Sequence, residues 1–142
     1  MKSDCFIDTN IWVYAFLEAE KDSSKQTTAL RLFQSIALAN RIIVSVQVIN
    51  EFHWILSRKY KIPEELIRDK VENGLVKLAD IVPLEYSDYQ FSFHIRRTWG
   101  LSFWDSLIVP SALQNECSTL YTEDFSHGIM IEKTLQIVNP FL

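Results

Sequence analysis

Short apolar runs alternate with longer stretches of helical period along this chain. Cys5-Phe6-Ile7 is too short for a helix and predicts a buried strand; Ile42-Ile43-Val44, β-branched throughout, predicts another over 41–44. Residues 80–84, with Pro83 near the end, 118–121 and 135–138 predict three more. Between the strands the period changes. Asp8-Thr9-Asn10 supplies N-cap chemistry for a helix starting over 11–17, and 18–22 is a polar loop. Ala29, Leu30, Phe33 and Ile36-Ala37 form the stripe of a second helix, capped at Ser23 or Ser24 and ending near Ala39. Val48, Ile49, Phe52, Ile55 and Leu56 form that of a third, capped by Ser45 and ending near Tyr60. Pro63 with Glu64-Glu65 opens a fourth, to about Leu78. Ser87 or Asp88 caps a fifth that stops at Gly100. A sixth covers 103–115, where Pro110 predicts a kink or an irregular turn.

Strands separated by helical crossovers predict an α/β fold, a central and mainly parallel sheet flanked by helices in three layers. In such sheets ligands bind outside the carboxyl ends of the strands. The 142 residues suit one domain, 1–142, with no repeat, low-complexity tract or linker. No apolar run approaches the ~20 residues of a membrane helix, and Asp4 and Asp8 flank the only early apolar run, unlike a signal peptide. The two cysteines, Cys5 and Cys117, fall in or beside predicted strands, as small buried hydrophobes in a reducing cytoplasm.

Charge changes this picture at four places. Asp8 ends the first apolar run, Glu51 lies inside the third helix, Asp105 interrupts the apolar start of the sixth, and Asp124 follows Leu120-Tyr121-Thr122-Glu123. Each has an ordinary explanation: a cap for Asp8, a dipole-favoured first-turn acid for Asp105, a solvated helix position for Glu51, a turn for Asp124. Each also lies at an end or edge of a hydrophobic element. The chain carries 18 acids against 14 bases, and these four equal the excess. Two carboxylates ~5 Å apart repel by about 3 kcal/mol at an effective dielectric of ~20. A hard divalent cation, Mg²⁺ or Mn²⁺, relieves that repulsion and prefers oxygen ligands.

The run Phe6-Ile7-Asp8-Thr9-Asn10-Ile11, then Glu51, Trp104-Asp105-Ser106-Leu107-Ile108 and Tyr121-Thr122-Glu123-Asp124-Phe125 resembles the PIN-domain ribonucleases. More narrowly it is similar to the VapC-type toxins of bacterial and archaeal toxin–antitoxin modules. The closing stretch through His127-Gly128 and Ile137-Val138-Asn139-Pro140-Phe141 shares the likeness, so the resemblance spans the chain in order. It implies a PIN-like fold and an endoribonuclease site dependent on Mg²⁺ or Mn²⁺. It also implies an RNA substrate, frequent homodimers and a small antitoxin protein that covers the site. Asp8, Glu51 and Asp105 match the family's three usual acids and Asp124 a fourth of more variable role. Thr9, Asn10 and Thr122 match polar neighbours that support them. Pro110 departs from the expected pattern but leaves the turn carrying Asp105 intact.

Other chemistry is thin. His53, His94 and His127 lack zinc spacing, Ser45, Ser102 and Ser106 lack a nucleophile elbow, and the three glycines form no phosphate loop. Arg58-Lys59-Tyr60-Lys61 and Arg96-Arg97 read as solvated helix ends, with RNA phosphate as the alternative. Trp99 and Trp104 read as core, with base stacking as the alternative. Two further functions fit the acids. One is a catalytically inactive RNA-binding or scaffold domain. The other is phosphatase or receiver-domain chemistry, which wants an acid where Asn10 stands.

Overall fold

The computed structural model describes residues 4–17, 23–38 and 40–142. Six strands form one sheet in the order β3-β2-β1-β4-β6-β5. They are β1 (Cys5–Ile7), β2 (Ile42–Ser45), β3 (Asp80–Val82), β4 (Thr119–Tyr121), β5 (Met130–Ile131) and β6 (Leu135–Val138). All neighbours run parallel except β5 and β6, which are antiparallel. β5 has no counterpart in the sequence expectation: two residues are too few to show a period.

The chain winds outward from β1 through β2 to β3, then returns to place β4 on the other side of β1. Right-handed crossovers therefore set the helices before β3 and those after it on opposite faces. The reversal opens a crevice at the carboxyl ends of β1 and β4, the usual ligand position in such sheets. β1 and β2 are wholly buried, hence their continuous apolar runs. α1 (Thr9–Phe16) packs on α2 (Ser23–Ala37) and α3 (Val46–Arg58), while α6 (Tyr86–Trp99) packs on α7 (Phe103–Gln114). Trp12 is fully buried and satisfies its indole N–H on the Ile7 carbonyl at 3.0 Å. Among the described residues no helix is long and apolar enough to cross a membrane.

Several local expectations need correction. The predicted loop 18–22 and Ala39 lie outside the described residues, and Ser23 and Ser24, the expected caps, lie inside α2. Leu30 and Ala37 point outward, leaving Ala29, Phe33 and Ile36 as the buried stripe of α2. Ser45 precedes α3 without making a side-chain cap bond, and its hydroxyl is buried with no partner among the described residues. α6 is capped by Glu85, not Ser87 or Asp88. Asp88 is the third helical residue and accepts from the Glu85 amide at 2.9 Å, completing a capping box. Pro110 does not break α7. It lies in the buried run Ser106 to Ala112, where neighbouring packing holds the helix despite the missing N–H. Trp104 is not core: it is 62% exposed, whereas Trp99 is half-buried and donates to Glu132 at 3.3 Å.

The predicted fourth helix is interrupted. α4 (Glu64–Lys70) passes through a π-helical turn, Val71–Leu75, into the short α5 (Val76–Leu78). Gly74 in that turn lies against Phe16 of α1, and a Cβ there would come within 2.7 Å of the ring. Phe16 is itself set against Phe52 and Trp12, so it has little room to yield. Gly74→Ala is expected to destabilise the fold by about 1–3 kcal/mol through overpacking, read as a lower midpoint in urea. An unchanged midpoint would mean the ring moves aside freely.

Candidate metal and nuclease site

Asp8 ends β1 and caps α1. Its extended backbone, φ −72° and ψ 162°, turns the carboxylate over the first helical turn. One oxygen accepts from the Thr9 amide at 2.7 Å and the other from the Thr122 hydroxyl at 2.8 Å. The Asp8 amide donates to the Tyr121 carbonyl at 3.0 Å, fixing it across the β1–β4 crevice. Only 3% of Asp8 is exposed. Burial pushes its carboxyl up to about 7, against the pull of the two hydrogen bonds and with added repulsion from Asp124 and Glu51.

The other acids gather around it. The Thr122 hydroxyl, besides donating to Asp8, accepts from the Asp124 amide at 3.1 Å. Thr9 Oγ1 donates to Glu51 at 3.3 Å, so adjacent β1–α1 residues reach both β4 and α3. Asp105 lies in the first turn of α7, its amide donating to Ser102 Oγ at 3.2 Å. Partial burial raises the Asp105 carboxyl, with the Ser102 hydroxyl opposing. Asp124 is also raised, by partial burial first and then by Asp105 and Glu123; an Asp8 contact opposes this and Glu51 adds to it. The structure thus brings Asp8, Glu51, Asp105 and Asp124 into one electrostatic neighbourhood. Of the supporting residues, Thr9 and Thr122 bond the acids, whereas Asn10 is half-buried in α1 without a hydrogen-bond partner among the described residues.

Gln47 escaped the sequence reading. Its Nε2 donates to Glu51 at 2.7 Å and to the Trp104 carbonyl at 3.2 Å, tying α3 to the turn that carries Asp105. The available signal was its position four residues before Glu51, on the same helical face. Glu123 is also held, by Tyr14 at 2.7 Å and Lys25 at 3.1 Å, steadying the loop before Asp124.

Oxygen-only donors suit Mg²⁺ or Mn²⁺ better than softer metals. Among the described residues no lysine, arginine or histidine forms an ion pair with any of the four acids. The cluster therefore carries unbalanced negative charge. Its members are not drawn into a closed ligand sphere, for no group of three potential ligands is close enough among the described residues.

A family model describing the PIN domain matches residues 5–127. The chain belongs to the PIN-domain family. PIN domains are typically nucleases that use divalent metal ions. Comparison with curated proteins finds no match. Solved structures with this PIN-like fold include VapC20 of Mycobacterium tuberculosis, described as a sarcin–ricin loop cleaving toxin. It has a TM-score of 0.66 at 15% identity, over 82% of this chain and 87% of that one. VapBC2 from Rickettsia felis, bound to a DNA fragment from its promoter, gives 0.64 at 19% identity, covering 94% and 96%. A toxin–antitoxin complex from Klebsiella pneumoniae gives 0.66 at 19% identity, covering 96% and 98%. At these identities the likeness concerns the PIN fold.

Proposed function

We propose that this PIN domain is a Mg²⁺- or Mn²⁺-dependent endoribonuclease, the toxin of a type II toxin–antitoxin pair. It acts as one catalytic domain over 1–142, in the cytoplasm, as a homodimer restrained by a small antitoxin. The observation that carries the activity is the gathering of Asp8, Glu51 and Asp124 around the Thr9 and Thr122 hydroxyls, with Asp105 close enough to Asp124 to raise its carboxyl and no cation paired to the four among the described residues. Association of two of the neighbouring folds with antitoxins supports the partner.

Asp8 and Asp105 would hold the ion, with Glu51 and Asp124 able to complete its oxygen surroundings. When bound, the ion lowers the pKa of a water and offsets charge on the scissile phosphodiester. The protein's own task is orientation. Thr122 fixes the Asp8 carboxylate, Gln47 and Thr9 fix Glu51, and Glu51 and Asp124 are the carboxylates available to take the water's proton. Wild type is expected to cut structured RNA with Mn²⁺ and not with EDTA. The open spacing of the acids favours a second reading, an inactive RNA-binding PIN domain; Mn²⁺-independent binding without cleavage of any RNA would select it.

Thr122→Val removes the hydroxyl shared by Asp8 and Asp124 at nearly constant volume. Loss of such a supporting partner is expected to lower cleavage about 10- to 100-fold. Thr122→Ser, which keeps the hydroxyl, should recover most of it. Equal activity in Val and Ser variants would exclude the positioning role.

A further inference from the structure

Beside Glu51 lies a groove of about 670 Å³, lined by Gln47, Asn50, Trp54 and Leu84 on one stretch of its wall and by Trp104 and Leu107 of α7. This volume falls in the range of small-ligand sites. Trp54 is 60% exposed and Trp104 62%, so two indoles meet solvent where packing alone would bury them. The α3 side of the groove is not purely apolar. Gln47 is 5% exposed, yet its Oε1 is buried with no hydrogen-bond partner among the described residues while its Nε2 is fully used. Asn50 offers an exposed amide. The Arg58 guanidinium lies over the Trp54 ring at 4.6 Å, bringing a positive charge to the groove's rim.

We propose that this groove stacks an unpaired RNA base on Trp54 and Trp104, next to the phosphate presented to the acids. The inference rests on the nuclease reading and adds the specificity element of that site. Aromatic faces with a nearby arginine are the chemistry by which proteins hold single-stranded nucleic acid, since every base has a π-face and every nucleotide a phosphate. The buried Gln47 acceptor supplies a group that an exocyclic amine can satisfy after a small rotation. Glu51 is part of the same wall, so an occupant of the groove is continuous with whatever the acids bind. Arg96, by contrast, is committed to Ser92 and Ser106 and is caged by Phe93 and Phe103, whereas Arg58 lies directly on a groove indole.

The test is equilibrium binding of a single-stranded hexaribonucleotide containing 2-aminopurine, in Ca²⁺ buffer, with gels verifying that the strand stays intact. Stacking quenches the probe. Wild type should quench it, and a duplex of the same sequence should not respond. Trp54→Ala and Trp104→Ala should each weaken binding about 5- to 150-fold, the loss of one base stack. Phe at either position should retain most of the binding; Leu, which keeps apolar area without a π-face, should not. Both side chains are largely exposed, and unchanged melting of the variants checks that the fold is intact.

Quenching that depends on both indoles, in a protein that cuts no RNA with Mn²⁺, would retain the base site and remove the nuclease reading. Cleavage and binding that are indifferent to all six variants would retain the nuclease and overturn the groove. Unchanged RNA binding with a fall in mass by sedimentation would also overturn it, with a second copy of the chain as the occupant.

Discussion

Asp8→Asn is expected to lower Mn²⁺-dependent RNA cleavage by about 10³-fold, the several kcal/mol that metal-borne charge stabilisation supplies at a reacting phosphate. The side chain stays the same size and still accepts from the Thr9 amide, so the β1–α1 turn should survive. What disappears is the charge of the most buried of the four acids, the proposed anchor for the ion. Asp105→Asn should act in the same direction. Its place in the first turn of α7 is held independently, by the Ser102 cap, so the helix does not depend on its charge. Initial rates on one structured RNA, over a range of Mn²⁺ concentrations, separate weaker metal binding from lost chemistry. A rate restored at high Mn²⁺ assigns the defect to affinity; a rate that stays low assigns it to orientation. Full activity in either variant would remove that residue from the site.

The parts of this site that sequence exposes are those where local chemistry and long-range assembly coincide. Asp8 is visible because a strand's end is also a helix's cap, and the structure realises both. The parallel sheet follows from runs such as Ile42-Ile43-Val44, which are apolar on both faces because both faces are covered. β5 and the π-helical turn are not visible: a two-residue strand has no period, and a five-residue distortion within a helical run is too short to show a period of its own. Trp104 departs from expectation for a different reason. Its neighbours Leu107, Ile108 and Val109 are buried, and composition alone does not tell which side of a helix start turns outward. Gln47 matters through what it joins across 57 residues, a relation that a linear pattern does not contain.

Without metal, Asp8→Asn is expected to be the more stable protein by about 2 kcal/mol at about pH 8. The carboxyl's folded-state value, about 7, lies above its ordinary 3.8 because burial penalises the ionised form. Over that window the folded chain keeps a proton that the unfolded chain has released. Stability therefore falls as pH rises from about 4 to about 7 and levels off above, a loss of at most about 4 kcal/mol. Asparagine does not titrate, so it escapes this loss. It also cannot accept from both Thr9 and Thr122, and the forfeited bond returns about 1–2 kcal/mol. The advantage should shrink or vanish at about pH 5, near the start of that window, where the folded residue keeps its proton and most of the loss has yet to accrue. Urea unfolding in EDTA at the two pH values measures it. Adding Mn²⁺ at about 100 times its dissociation constant gives wild type about 2.7 kcal/mol and should reverse the order. A variant less stable than wild type in EDTA at the higher pH would mean that the Asp8 charge is compensated within the protein and that no cation is required to balance it.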